Sequence, residues 1–202
     1  MTLTELKTLI QSYLENEETT FVSTLNDFIV NAEDRIFELI QFDYFRKNVT
    51  GNLTTGNTYL TAPSDFLTSF SLAIIDSNND YHYLDKKHTS FMREYSNDAV
   101  ATSERGKPLY YADFDKELST ASNNGSTLIV SPVPDQDYNV ELHYLYKPVS
   151  LTSTTSGTWI SQNARNALLY GSLVEAYTFM KGDADLMQLY EQRFNLEVLR
   201  LK

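Results

Sequence analysis

The chain has 202 residues, 42% of them hydrophobic, with a formal net charge of −11 and no cysteine. That length fits one domain, or a domain carrying a substantial insertion, and the apolar content is enough for a real core. The acidity argues against a groove that neutralises nucleic-acid phosphates, and the absence of thiols excludes disulfides and thiolate metal sites. No apolar run approaches the ~18 residues of a membrane span, and the opening Met1-TLTELKTLI lacks the basic and long apolar regions of a signal peptide. Fourteen tyrosines and eleven phenylalanines stand against one tryptophan. Such surfaces are frequent at interfaces, although tyrosine is equally ordinary in strands.

In chain order, Thr2-Leu-Thr-Glu5 matches a capping box, and Leu3, Leu6, Ile10, Tyr13 and Leu14 form the stripe of a short helix. The polar stretch Glu15–Thr20 breaks it. A second helix starts near Thr19 or Thr20 and carries Phe21, Leu25, Phe28, Ile29, Ala32, Ile36, Leu39 and Ile40, the strongest periodic signal in the chain. Asp34, Arg35 and Glu38 fall off that stripe, on an expected solvated face.

From about Phe45 the period changes from 3.6 to 2. Gly51-Asn52 and Gly56-Asn57 predict tight hairpin turns, because both pairs tolerate positive φ. Phe66–Ile75 reads as one or two buried strands, Asp76–Asp80 as a turn, Lys86–Ser96 as a short helix, and Gly106–Tyr111 as the start of another strand. Asn123-Asn-Gly125 and Pro134–Asp137 predict further turns, with strands at Thr127–Val130 and Tyr138–Tyr146. Ser150–Gly157 is a Ser/Thr-rich connector.

The chain then turns helical again. From about Ser161 to Lys181, Ile160, Ala164, Leu168, Gly171 and Val174 share one face, where Ala164, Ala167 and Gly171 are small enough for close approach of another helix. Gly182 is expected to supply the left-handed residue that ends this helix, and Asp183 to cap the next. In that last helix Met187, Tyr190, Phe194, Val198 and Leu201 form the apolar stripe, with Glu191, Arg193, Glu197 and Arg200 mostly off it.

The layout of helices, a β-rich middle and helices predicts an α+β protein. The N- and C-terminal helices (1–45 and 151–202) would form an antiparallel bundle, since neither amphipathic pair can bury its stripe alone, with an inserted β-rich module at 46–150 projecting from it.

Chemical motifs are sparse. The sequence has no Walker loop, Gly-x-Gly-x-x-Gly, Gly-x-Ser-x-Gly elbow or His-Glu-x-x-His. Asp76-x-Asn78-x-Asp80 opens like a calcium loop, yet Tyr81 stands at its sixth position and Lys87 at its twelfth, where glycine and glutamate are required. His82, His88 and His143 are scattered. Asp113/Asp115 and Asp135/Asp137 are carboxylate pairs of a kind that could work in a glycosidase cleft, but they sit in turn-like sequence that favours Asp anyway. No catalytic residue, cofactor or metal is expected.

Tyr59-Leu-Thr-Ala-Pro-Ser-Asp-Phe-Leu67 resembles the Tyr-Leu-x-Leu-Pro-x-Asp-Phe-Leu stretch of head-to-tail adaptor (connector) proteins of short-tailed bacteriophages, with Ala62 in place of the usual leucine. Gly106-Lys-Pro-Leu-Tyr-Tyr, Val130-Ser-Pro-Val-Pro-Asp, Tyr144-Leu-Tyr-Lys-Pro, Leu151-Thr, Trp159-Ile and Ala167-Leu-Leu-Tyr-Gly-Ser-Leu-Val-Glu-Ala-Tyr177 follow in the order of that family. The likeness runs from about residue 20 to the end.

The resemblance implies a virion structural protein, assembled in the host cytoplasm, that forms a ring, typically twelvefold, beneath the portal at the head–tail junction. Such a ring extends the channel through which genomic DNA passes without specific binding, and gives the tail nozzle or tube its platform. No enzyme activity is implied. On this reading Arg193, Leu196, Arg200 and Leu201 are the candidate portal interface, and the isolated chain is expected to be a monomer or a weak small oligomer. Another neck or tail-completion protein, or a carbohydrate-binding or hydrolytic tail component, are the competing expectations.

Overall fold

The computed structural model describes residues 1–40, 42–95, 102–115 and 126–201. In chain order its elements are α1 (Leu3–Leu14), α2 (Thr19–Leu39), β1 (Arg46–Leu53), β2 (Tyr59–Thr61), β3 (Phe66–Ile75), β4 (Tyr81–Tyr83) and β5 (Asp85–Lys86). Then come α3 (Thr89–Tyr95), β6 (Tyr110–Asp115), β7 (Thr127–Ser131), β8 (Tyr138–Tyr146), α4 (Trp159–Asn163), α5 (Arg165–Met180) and α6 (Ala184–Leu201). The fold is α+β. The backbone divides into two compact units, Met1–Phe42 with Pro148–Lys202, and Asp43–Lys147.

In the helical unit, α1 begins with the expected capping box: the Thr2 hydroxyl accepts the Glu5 N–H at 3.3 Å, and the Glu5 carboxylate accepts the Thr2 N–H at 2.9 Å. The α2 stripe is buried from Phe21 to Ile36, whereas Leu39 is exposed. Helix α5 is the centre of the unit. It packs against α2 and α6, and Ala167, Leu168, Leu169, Gly171, Ser172, Leu173, Val174 and Ala176 are all buried. A helix covered on nearly every side needs small residues where neighbours come closest. Gly171 is such a place: a Cβ there would lie 3.0 Å from Ala32 Cβ of α2 and 3.1 Å from the Phe194 ring of α6.

Two expectations fail in this stretch. The single helix predicted from about Ser161 is two, because Ala164 leaves the helical region at φ −119°, ψ 33°. A capping box between Thr158 and Ser161 opens α4, with the Ser161 hydroxyl accepting the Thr158 N–H at 2.9 Å, and the long helix restarts at Arg165. The left-handed corner after α5 is Lys181, at φ 52°, rather than Gly182. Glycine is needed at 182 for room instead, since a Cβ would sit 2.5 Å from Tyr177 Cδ1. Asp183 does take the capping position, accepting the Asp185 N–H at 2.8 Å.

The other unit is a sandwich of two four-stranded sheets, in the orders β1-β8-β3-β4 and β2-β7-β6-β5. The first is antiparallel throughout; in the second, β5 pairs parallel with β6. Leu72, Ile74, Val140, Leu142 and Tyr144 of the first sheet share one buried cluster with Leu60, Tyr111, Leu128 and Val130 of the second. On the other face of the second sheet, Met92 of α3 packs against Ala112 and Ile129.

Gly51-Asn52 is not a turn. β1 runs straight through it, with Gly51 opposite Val140 in an unbroken eight-residue ladder with β8. A hairpin there would leave only a short pairing, whereas β8, far away in sequence, matches the full strand, and glycine tolerates extended backbone as well as a turn. Gly56, at φ 75°, does turn the chain. Phe66–Ile75 is a single strand with two register shifts against β8. The turn predicted at Asn123-Asn-Gly125 lies outside the described residues.

Candidate assembly surface

Among the described residues, several side chains that could carry chemistry are engaged in structure. In the sandwich, Lys86 Nζ lies 2.8 Å from Asp113 Oδ2 and donates to Ser69 Oγ at 2.7 Å, while the Ser69 hydroxyl donates to Asp113 Oδ1 at 2.6 Å. A serine beside a lysine suggests a nucleophile and its base. Here the lysine ammonium is spent on a carboxylate and the serine proton points at that same carboxylate, so the trio fastens β3 of one sheet to β5 and β6 of the other. The expected turn at Asp76 is present: its Oδ1 accepts the Asn78 and Asp80 N–H groups and its Oδ2 meets His82 Nε2 at 2.9 Å. The His82 contact first, then those N–H groups, hold Asp76 at a pKa of about 2.

Asp135 and Asp137 are likewise turn staples. Asp135 accepts the Tyr138 hydroxyl at 2.7 Å, and Asp137 accepts both the Thr55 N–H and its hydroxyl, which hold its carboxyl below the ordinary range. Desolvation, then Asp135, pushes the Tyr138 phenol up to about 12. Burial raises Asp65, but hydrogen bonds from Lys47 and Tyr144 outweigh it and leave that carboxyl below its usual value. Among the described residues no group of three or more His, Cys, Asp or Glu is placed to hold a metal ion. No helix there is long and apolar enough to cross a membrane.

The helical unit contains two charged features that sequence periodicity does not reveal. Arg35, expected on a solvated face, instead joins three helices: it pairs with Glu175 of α5 at 3.4 Å and Glu191 of α6 at 2.7 Å, and its guanidinium lies 4.6 Å over the Phe194 ring. Glu33 is buried on α2, where one carboxylate oxygen accepts the Leu151 N–H at 3.0 Å and fastens the connector to the helix. Burial pushes its carboxyl up. Both partners lie more than 100 residues away in sequence, so neither pairing has a local signal.

Helix α6 presents two opposite apolar stripes. Phe194 and Val198 are buried against the unit, as the sequence predicts. On the outward side Leu189, Leu196 and Leu199 are 41%, 51% and 64% exposed. Their spacings of seven and three place them on one line of the helix, a signal readable in the sequence but missed beside the stronger inner stripe.

The four predicted interface residues all lie on the second half of α6. Leu196 lies in the outer stripe. Arg193 leans back to α5, donating to the Tyr170 hydroxyl at 3.2 Å. Arg200 pairs with Glu197 at 2.7 Å, and it lines, with the half-buried Leu201, an open cleft of about 430 Å3 whose other wall is Asn163–Ala167 at the α4–α5 break.

The exposed apolar stripe of α6 is a surface suited to assembly. The family model of the SU10 adaptor protein matches residues 1–201, and the chain belongs to that family. It is therefore a bacteriophage adaptor, of a structural family, and the adaptor resemblance carried by Tyr59–Leu67 and the later motifs holds at that level. No curated protein matches the chain.

Proposed function

We propose that this adaptor works at the head–tail junction of a short-tailed phage. Copies assembled in the host cytoplasm form a ring, twelvefold in the reading from the resemblance, below the portal. The ring lengthens the DNA channel and offers the tail nozzle or tube its attachment platform. Family membership over nearly the whole chain supports the reading. The observation that carries its docking part is the outer stripe of α6, which the unit itself leaves uncovered. Leu196 at the centre of that stripe, with Arg193 one turn before it and Arg200 and Leu201 at the helix end, is the proposed portal contact. The formal charge of −11 makes like copies repel in dilute solution and keeps a lumen from holding DNA phosphates. A portal already in place supplies the symmetry that the isolated chains lack.

The test is recruitment to portal-bearing capsids. Light scattering on the purified chain should give a monomer or small oligomer, and micrographs should show a ring added to each portal. Leu196→Asp with Leu199→Asp changes only exposed positions, so the variant should melt as the parent does and fail to decorate portals. Undiminished decoration by this variant would remove α6 as the docking element. A parent protein that ignores portals would remove the adaptor-below-portal reading itself.

A further inference from the structure

The first sheet of the sandwich ends in an edge that natural proteins rarely leave open. β1 is eight residues long, and every residue from Arg46 to Asn52 is exposed. One side of it is paired to β8 with no register shift; among the described residues no strand lies on the other. Edge strands are ordinarily blunted by shortness, charge, proline or a bulge, because free N–H and C=O groups invite another strand. The three other sheet edges follow that rule, with β2 and β4 of three residues each and β5 of two. β1 is longer, and its charges, Arg46 and Lys47, sit only at its first two positions; from Asn48 to Leu53 it has neither a charge nor a proline.

We propose that β1 of one copy pairs with β4 of the next, so that the first sheets of neighbouring subunits run on as one antiparallel sheet. Direction allows it. Each strand of the sheet is antiparallel to its neighbour, so β1 and β4 at its two edges run oppositely, and a second sheet laid alongside continues the alternation. Side chains fit as well. Asn52, Asn139, Ile75 and Tyr81 form one row across the sheet, and Thr50, Glu141, Ala73 and Tyr83 the next but one on the same face. Extending these rows sets Tyr81 and Tyr83, which are 49% and 68% exposed, beside the small polar Asn52 and Thr50 of the neighbour.

A twofold β1–β1 contact would leave both tyrosines uncovered. The β1–β4 contact is heterologous, and heterologous contacts generate rings or filaments. Only three residues of β4 take part, so the pairing is weak between free chains and needs many copies held together. The inference rests on the ring reading above only for the closure of the sheet into a circle.

The parent chain has no cysteine, so an engineered pair reads out cleanly. Within one chain Thr50 and Tyr83 sit at opposite edges of four strands, roughly 14 Å apart at about 4.8 Å per strand, beyond the ~7 Å limit for a disulfide. Oxidising the concentrated full-length Thr50→Cys/Tyr83→Cys protein should give a non-reducing ladder of dimer, trimer and higher species. Each single variant should give at most traces. Asn52→Cys/Tyr83→Cys and Asn48→Cys/Tyr83→Cys cover neighbouring registers, and circular dichroism confirms that each variant is folded. No ladder from any folded pair overturns the proposal, and a covalent dimer from Thr50→Cys alone replaces it with twofold β1–β1 pairing. A ladder from a protein that ignores portals leaves the pairing standing while the portal reading falls.

Discussion

The two units solve the burial problem in opposite ways. In the helical unit one element, α5, is wrapped by others, and order depends on a single crowded joint where Ala32, Gly171, Phe194 and Arg35 meet. In the sandwich no element is central. Cohesion is spread over ladders between strands far apart in sequence, with the Ser69–Lys86–Asp113 trio as a polar cross-link between sheets. The difference teaches where each is vulnerable: the bundle at a point, the sandwich in its carboxylates.

The largest expected effect is at the joint. Phe194 is fully buried, and Phe194→Ala should cost about 3–5 kcal/mol through lost burial and the cavity left behind, read by urea unfolding at 222 nm. A loss below 1 kcal/mol would show that α6 is not fastened there. Next, Gly171→Leu should destabilise by roughly 1–3 kcal/mol, because even a Cβ at 171 is within 3.0 Å of Ala32 Cβ before any further carbon is added. An unchanged melting midpoint would mean the three helices can spread.

The pH dependence sharpens the contrast. Asp65, Asp76 and Asp137 of the sandwich all have lowered pKa values. Their stabilisation is present above the unfolded carboxylate range near ~4 and is lost as pH falls through the folded values, down to about 2 for Asp76. Glu33 in the bundle is raised by burial, which gives the opposite sign: its contribution is fully present below the unfolded range and is lost as pH rises through the folded value. Glu5, lowered by the Thr2 N–H of the capping box, partly offsets it.

Glu33→Gln keeps an acceptor for the Leu151 N–H, so the variant should melt at or above the parent at neutral pH, with the two curves converging near pH ~4. A variant that melts lower at neutral pH would mean the carboxylate's hydrogen bond outweighs its desolvation. The smallest expected effect is none. With Asp76, Asp135 and Asp137 committed to turn hydrogen bonds, calcium or zinc should leave the melting midpoint unmoved, and a clear upward shift would place a cation site in one of these turns.

Legibility followed locality. The boundaries of α1, α2 and β8, the Asp183 cap and the Phe194–Val198 core of the inner α6 stripe were readable, because each is set by residues within a turn or a strand of one another, whereas Met187, expected in that stripe, is exposed. The same local reading misplaced a hairpin at Gly51-Asn52, since what decides that stretch is β8. It also missed Arg35 and Glu33, whose partners arrive only when the chain folds back. At Lys181 and Gly182 the sequence located the corner but exchanged the roles: the lysine takes the left-handed backbone, and the glycine yields space to a tyrosine. Of the outer stripe, the sequence reading named only Leu196, although the spacing of Leu189, Leu196 and Leu199 was there to be read.

Helix α6 is fastened unevenly along its length. Every residue from Ala184 to Leu189 is exposed, and the buried anchors Phe194 and Val198 come only in its second half. Segments with few buried contacts open locally at small free-energy cost. The opening turns of α6 should therefore trade backbone deuterium sooner than its later turns or than α5. A partner laid along Leu189, Leu196 and Leu199 would slow that trade and stiffen the helix as it binds, making the loose first turns a built-in reporter of engagement.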